Sequence, residues 1–280
     1  MPATRSNIGG YERECCRLAM SALMLPLEIS FRGIAIMVSI GSWFGGLDQP
    51  VDIYCERTTA AWDAEPLNAI SNFAFFIAAW AVWRLQKQRP NTEIAGPIQA
   101  LWIIIAVVGA GSLTFHTVAT RWAEWADVIP ILIFMIVYCW MILTVFFRMP
   151  VWLKTLITLV FFAATFYLES DEFEKVLWGG AMYLPTLFFL MAAGAGIWRR
   201  DADAGKAFFT AALLFVVSFA FRTIDMPLCS QLSIGTHYFW HFFNAAVLFL
   251  LVRTLILHAP GGEEAIRRES KRVALGFSDA

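Results

Sequence analysis

The chain has little charge. Only 15% of its 280 residues are Asp, Glu, Lys or Arg, where soluble domains carry about 25%. With 59% hydrophobic residues and a mean hydropathy of +0.63, that scarcity excludes an ordinary water-soluble domain. The net charge is −1 and no dense basic patch precedes the C-terminal tail, so nucleic acid is set aside as a partner. The five cysteines (Cys15, Cys16, Cys55, Cys139 and Cys229) form no CxxC pair and no zinc-ribbon spacing. Buried apolar thiols are one reading of them. Cys55 and Cys229 can meet only if they lie on one side of a membrane. Histidine is scarcest of all, with four in the chain.

Long apolar runs are abundant instead. A bilayer span needs roughly 20 mostly apolar residues, and seven such runs are predicted at about 67–85, 97–118, 128–147, 151–168, 176–198, 207–224 and 236–258. The expected fold is all-α, a polytopic seven-transmembrane helix bundle over residues 51–258. Residues 1–50 form an N-terminal segment of another kind. Their apolar halves, 18–31 and 33–47, are short, carry Glu28 and are split by Arg32. An interfacial helix, a signal-like segment or an extension ahead of a start at Met37 all fit. Residues 259–280 make a polar, basic tail.

Positive charge orients the bundle. Thirteen lysines and arginines fall at the ends of spans one, three and five and at the C-terminal end, among them Arg84, Arg148, Arg199 and Arg268. From Asp52 onward the opposite side has four: Arg57, Arg121, Lys175 and Arg222. The asymmetry predicts a cytoplasmic C-terminus. Span two then ends, and spans three and seven begin, at the outer surface.

That topology gathers the polar residues that a membrane interior makes costly. Ser112 and His116 close span two, Asp127 opens span three, and His237 and His241 open span seven. Residues four apart share a helix face, so His237 and His241 can chelate one ion, with His116 as a third ligand. Three histidines leave an open fourth position, as in catalytic zinc sites. Zinc (Zn2+) suits imidazole, though iron, copper and nickel also accept it. Bound zinc brings the pKa of water towards about 7. Asp127 is then a candidate general base, and Ser112 a donor to the water or a developing oxyanion. The expected metal site lies near the outer leaflet. Bis-histidine haem ligation by His116 and one of the other two is a competing reading, one that leaves Ser112 and Asp127 without a role.

Three blocks of sequence carry a resemblance. They are Y-C-E-R with A-E-P-L-N-A-I-S-N (54–57 and 64–72), G-A-G-S-L-T-F-H with an aspartate eleven residues on (109–127), and H-Y-F-W-H (237–241). With them the chain resembles the alkaline ceramidases and their bacterial relatives, within a wider seven-span hydrolase group that includes the adiponectin-type receptors. The resemblance implies hydrolysis of a ceramide-like membrane lipid to a sphingoid base and a fatty acid. It implies zinc on His116, His237 and His241, with Asp127 activating water and Ser112 assisting. A bacterial inner membrane, with the site towards the periplasm, is the implied location.

The resemblance also implies calcium (Ca2+) before span one, with Glu56 and Glu65 as ligands. Eukaryotic members keep an aspartate where this chain has Ile53, so Asp52, or Asp63, would have to stand in. Calcium needs six to eight oxygens, and a solvated acidic loop is the plainer reading. A Cys55–Cys229 bridge is implied as well, on an outer side where disulfides persist. Arg222 and Asp225 are expected to pair at the end of span six. The rival to an enzyme is a receptor-like or lipid-binding protein with structural zinc.

Overall fold

The computed structural model describes residues 46–89, 93–170, 177 and 180–259. The chain divides into two compact units, 1–47 and 48–280. Expectations for the N-terminal segment up to residue 45, for the acidic loop over 171–175 and for the basic tail beyond 259 fall outside the described residues.

Within the second unit the helices are α1 (Pro66–Ser71), α2 (Phe73–Gln88), α3 (Ala95–Val118), α4 (Arg121–Val145), α5 (Val151–Leu168), α6 (Leu184–Trp198), α7 (Ala202–Leu228) and α8 (His237–His258). A 3-10 turn, Ala181–Tyr183, leads into α6. Joined at Asn72, α1 and α2 make one crossing, and the described residues then contain seven segments long and apolar enough to cross a membrane. Among the described residues there is no strand, only an isolated bridge between Pro50 and Thr120. The protein is an all-α, seven-span bundle.

Helices adjacent in sequence pack together from α2 round to α8, and α8 returns to pack on α2. The bundle is a closed ring. Buried side chains such as Val82, Leu101, Ile142, Phe208 and Leu255 fill its inner faces. Outward-facing Ile77, Trp80, Leu159, Val160 and Phe188 stay exposed, apolar surface suited to acyl chains.

Local chemistry sets the helix ends. Pro66 occupies the first turn of α1, where its missing N–H costs nothing. The Asp201 carboxylate accepts from the Asp203 and Ala204 amides and so starts α7 five residues before the predicted apolar run. Ala119, at φ 49°, ends α3 in the left-handed region, and Thr120 swings out extended before α4.

Span three departs from its predicted limits where charge is densest. Hydropathy predicts its start near residue 128, yet α4 begins at Arg121. Its charged first turns are helical all the same, with Arg121 and Glu124 paired three residues apart. Asp127 therefore sits in the second turn of a formed helix, not at its mouth.

Candidate active site

The site is built at one end of the ring, where α3 stops and α8 starts. Two glycine-dependent contacts create it. Gly111 lets α3 press against α4, since a Cβ there would overlap the Ala126 carbonyl and stand 3.3 Å from the Asp127 Cα. Close backbone approach through small residues is the usual way membrane helices meet tightly. It brings the Ser112 hydroxyl beside the Asp127 carboxylate. Gly235, at φ 63°, turns the chain into α8 where a Cβ would strike the Asp225 carboxylate and the Cys55 Cβ.

Asp225 sets the start of α8 from outside it. Its Oδ1 accepts from the Thr236 and His237 amides at 2.6 and 2.9 Å, and its Oδ2 from the Cys55 amide at 2.9 Å. Asp225 thus accepts from three backbone amides, a helix-terminus arrangement suited to an anion. The Arg222 guanidinium lies 5.2 Å from the centre of the Tyr183 ring. Cys55 and Cys229 are joined by a disulfide with Cα atoms 5.4 Å apart. Cys139 is a buried free thiol.

His116, His237 and His241 converge. One nitrogen from each lies within 4.8 Å of the others, and all three side chains are buried. The ring centres are 4.7 to 5.3 Å apart. In His116 and His241 the outer nitrogen is held by a partner that fixes the tautomer. The His116 Nδ1 lies 2.6 Å from Glu65 Oε2, a carboxylate that can only accept, so Nδ1 carries the proton and Nε2 has a bare lone pair. The His241 Nδ1 lies 2.7 Å from the Ser71 hydroxyl, whose own proton goes to the Asn68 carbonyl. Ser71 therefore accepts from His241, and its Nε2 is bare too. His116 Nε2 and His237 Nδ1 are buried without a hydrogen-bond partner among the described residues. Orphaned lone pairs in a dry setting are costly. A divalent metal satisfies all three at once, with outer partners of the kind that orient metal-binding histidines. The donor set fits zinc.

Tyr54 stacks on His237 with ring centres 3.7 Å apart. Burial pushes its phenol well above the usual range, so it stays neutral. A loop carries it across the α3–α4 turn, held by Val51 N–H to the Ala119 carbonyl and Arg121 N–H to the Gln49 carbonyl.

A cavity of about 620 Å³ opens from this cluster into the bundle. Its polar end is lined by Tyr54, Ser112, Asp127 and His241, its apolar end by Phe134, Tyr138, Leu190, Phe215 and Leu251. The size falls within the roughly 300–1,000 Å³ of small-molecule sites.

The acidic residues proposed for calcium lie differently. Glu56 accepts from the Leu67 and Asn68 amides at 2.8 Å each, capping α1. Burial nevertheless raises its carboxyl above the usual range. Glu65 is shared among Arg57, Asn68 and His116. Burial works to raise the Glu65 carboxyl too, but His116, Asn68 and Arg57 together hold it below the usual range. Asp52 is exposed, as is Asp63. Among the described residues the three histidines form the one group placed to hold a metal, and calcium has no support there.

Residues 53–267 match the family model described as Ceramidase. The chain belongs to the ceramidase family. No curated protein matches it. Ceramidase membership supports a hydrolase acting on the amide bond of a lipid, in accord with seven apolar spans and three buried histidines. Residues whose part in the ceramidase site escaped the sequence reading are Tyr54, Arg57, Ser71, Gly111 and Asp225. Tyr54, Arg57, Ser71 and Gly111 lie within the blocks that carry the resemblance. Arg57 meets Glu65 only because the chain folds back.

Proposed function

We propose that the protein is an intramembrane zinc-dependent amidase that hydrolyses the N-acyl bond of ceramide or a related N-acyl lipid. The observation that carries the reading is the cluster of buried imidazoles beside Ser112 and Asp127, opening into a mostly apolar cavity of about 620 Å³. A divalent metal bound there polarises a carbonyl and makes water acidic enough to attack at neutral pH.

The chain's own residues supply the rest. The apolar end of the cavity takes an acyl chain and leaves the amide at the polar end. Water adds to the amide carbon and the C–N bond breaks. The hydroxyl stays with the acyl group as a fatty acid, and a hydrogen goes to the nitrogen, freeing the sphingoid amine. Asp127 accepts the proton of the attacking water and passes it to the leaving nitrogen, a transfer worth about 10²–10⁴-fold in rate. Ser112 holds Asp127 in position and presents a hydroxyl to the oxygen that becomes negative. Tyr54 packs against His237 and closes the loop side.

The charge asymmetry supports an inner-membrane protein with its C-terminus in the cytoplasm and its site towards the outer leaflet. Lipid turnover across ceramides and other N-acyl lipids, with and without a zinc chelator, tests the assignment by mass spectrometry. Chelator-sensitive fatty-acid release supports it. Unfolding on metal removal with no turnover of any lipid would instead favour a receptor-like protein with structural zinc.

A further inference from the structure

The loop before α1 holds a buried arginine at the place where the family resemblance implies a calcium ion. Arg57 Nε pairs with Glu65 Oε1 at 2.5 Å, and both side chains are nearly inaccessible. Its terminal nitrogens donate to the carbonyls of Thr59 and Ala61 at 3.3 Å each and of His116 at 3.1 Å. Carboxylate and carbonyl oxygens thus converge on a guanidinium. Glu65 Oε2, the other oxygen of that carboxylate, faces His116 Nδ1 at 2.6 Å and accepts from Asn68 at 2.9 Å. Arg57 therefore touches His116 twice, once through its carbonyl and once through Glu65.

This donor set does not fit calcium. Six to eight oxygens are needed, and the Glu65 oxygens already serve Arg57, Asn68 and His116. Those of Glu56 serve two helix amides. A dication placed beside Glu65 would also meet a fixed positive charge. A guanidinium has five donors in a rigid fork and stays charged, so it can hold the same oxygens without an ion.

We propose that Arg57 is a built-in cation in place of bound calcium, a positioning residue that locks Glu65, and through it His116, in metal-binding geometry. The zinc site of this chain is accordingly independent of calcium. The inference rests on the three histidines holding a metal, as in the proposed function, but not on any particular lipid being the substrate.

The test uses full-length protein in detergent micelles, with zinc affinity read by competition with a chelating dye and unfolding followed by heating. Wild-type protein is expected to give the same zinc affinity and the same unfolding temperature in added calcium as in a calcium-selective chelator. Arg57→Ala is expected to bind zinc roughly 10–100-fold more weakly, the usual effect of losing an outer partner of a metal ligand. Low concentrations of guanidinium ion should restore part of that loss. Arg57→Lys should fall between the two, keeping the charge but not the fork. Calcium that raises wild-type zinc affinity or unfolding temperature overturns the proposal, as does wild-type affinity in Arg57→Ala. Should Arg57→Ala fail to fold, the calcium comparison on wild-type protein and the Arg57→Lys affinity still decide. Calcium-independent zinc binding without turnover of any N-acyl lipid would defeat the proposed function and leave this inference standing.

Discussion

The Ser71 hydroxyl and the His241 Nδ1 lie 2.7 Å apart, joining the first span to the last across 170 positions of sequence. Because the Ser71 proton goes to the Asn68 carbonyl, the imidazole must donate, leaving its other nitrogen free for a metal. Ser71→Ala removes the acceptor and lets the ring turn. Zinc affinity is expected to fall roughly 10–100-fold with little change in helix content, measured by dye competition and circular dichroism.

Gly111 fixes how closely α3 and α4 approach. A methyl group there would overlap the Ala126 carbonyl, so Gly111→Ala must push the helices apart and draw Asp127 away from Ser112. A displacement of about 1 Å near reacting groups can cost on the order of 10²-fold in rate. The variant is expected to keep its zinc, because none of the histidines lies at that contact, and to lose turnover. Zinc content measured alongside fatty-acid release checks both halves.

The Cys55–Cys229 disulfide ties the Tyr54–Glu65 loop to the end of α7 across 174 residues of sequence. Cross-links over long loops stabilise by about 2–4 kcal/mol. Cys229→Ser, or reductant on the wild-type protein, is expected to lower the unfolding temperature and weaken zinc binding together, since that loop also carries Arg57 and Glu65. Thermal unfolding with and without reductant measures the first effect. An unchanged zinc affinity would separate the loop from the site.

At the opposite end of the bundle Asp201 caps α7 and meets His258 at 2.7 Å, the last residue of α8. Partial burial works to raise its carboxyl, but the Ala204 amide, His258 and the Asp203 amide outweigh it and hold the acid below the usual range. A carboxyl lowered on folding adds stability above its unfolded pKa, about 3.9, and that stability fades as pH falls through the folded value. Asp201→Ala is expected to cost about 1 kcal/mol at neutral pH. Its difference from wild type should shrink below about pH 4, a convergence that unfolding curves across pH would show.

Much of this was legible in the sequence because membrane folds leave few options. Runs of apolar residues found the seven spans, and scarcity made the histidines conspicuous. Boundaries failed where charge and helix coincide. Arg121 to Asp127 is too polar to count as a span by hydropathy, yet an Arg121–Glu124 pair and a tight seat against Gly111 make it helical. The sequence singles out Glu65 as a candidate ligand but not as the partner of Arg57 and His116. Its contacts with Arg57 and His116 depend on a loop folding back, and no periodic pattern encodes that. The part Asp225 plays at the start of α8 is hidden in the same way, because the amides it accepts from belong to α8 and to the Cys55 loop.

Asp127 decides whether the site is catalytic or merely structural, since the three histidines can hold a metal without it. The most direct measurement is fatty-acid release from ceramide by zinc-loaded Asp127→Asn beside zinc-loaded wild type. Wild type should release fatty acid, and the variant should keep its zinc and lose at least about 10²-fold in rate. Equal rates in the two proteins would contradict the account.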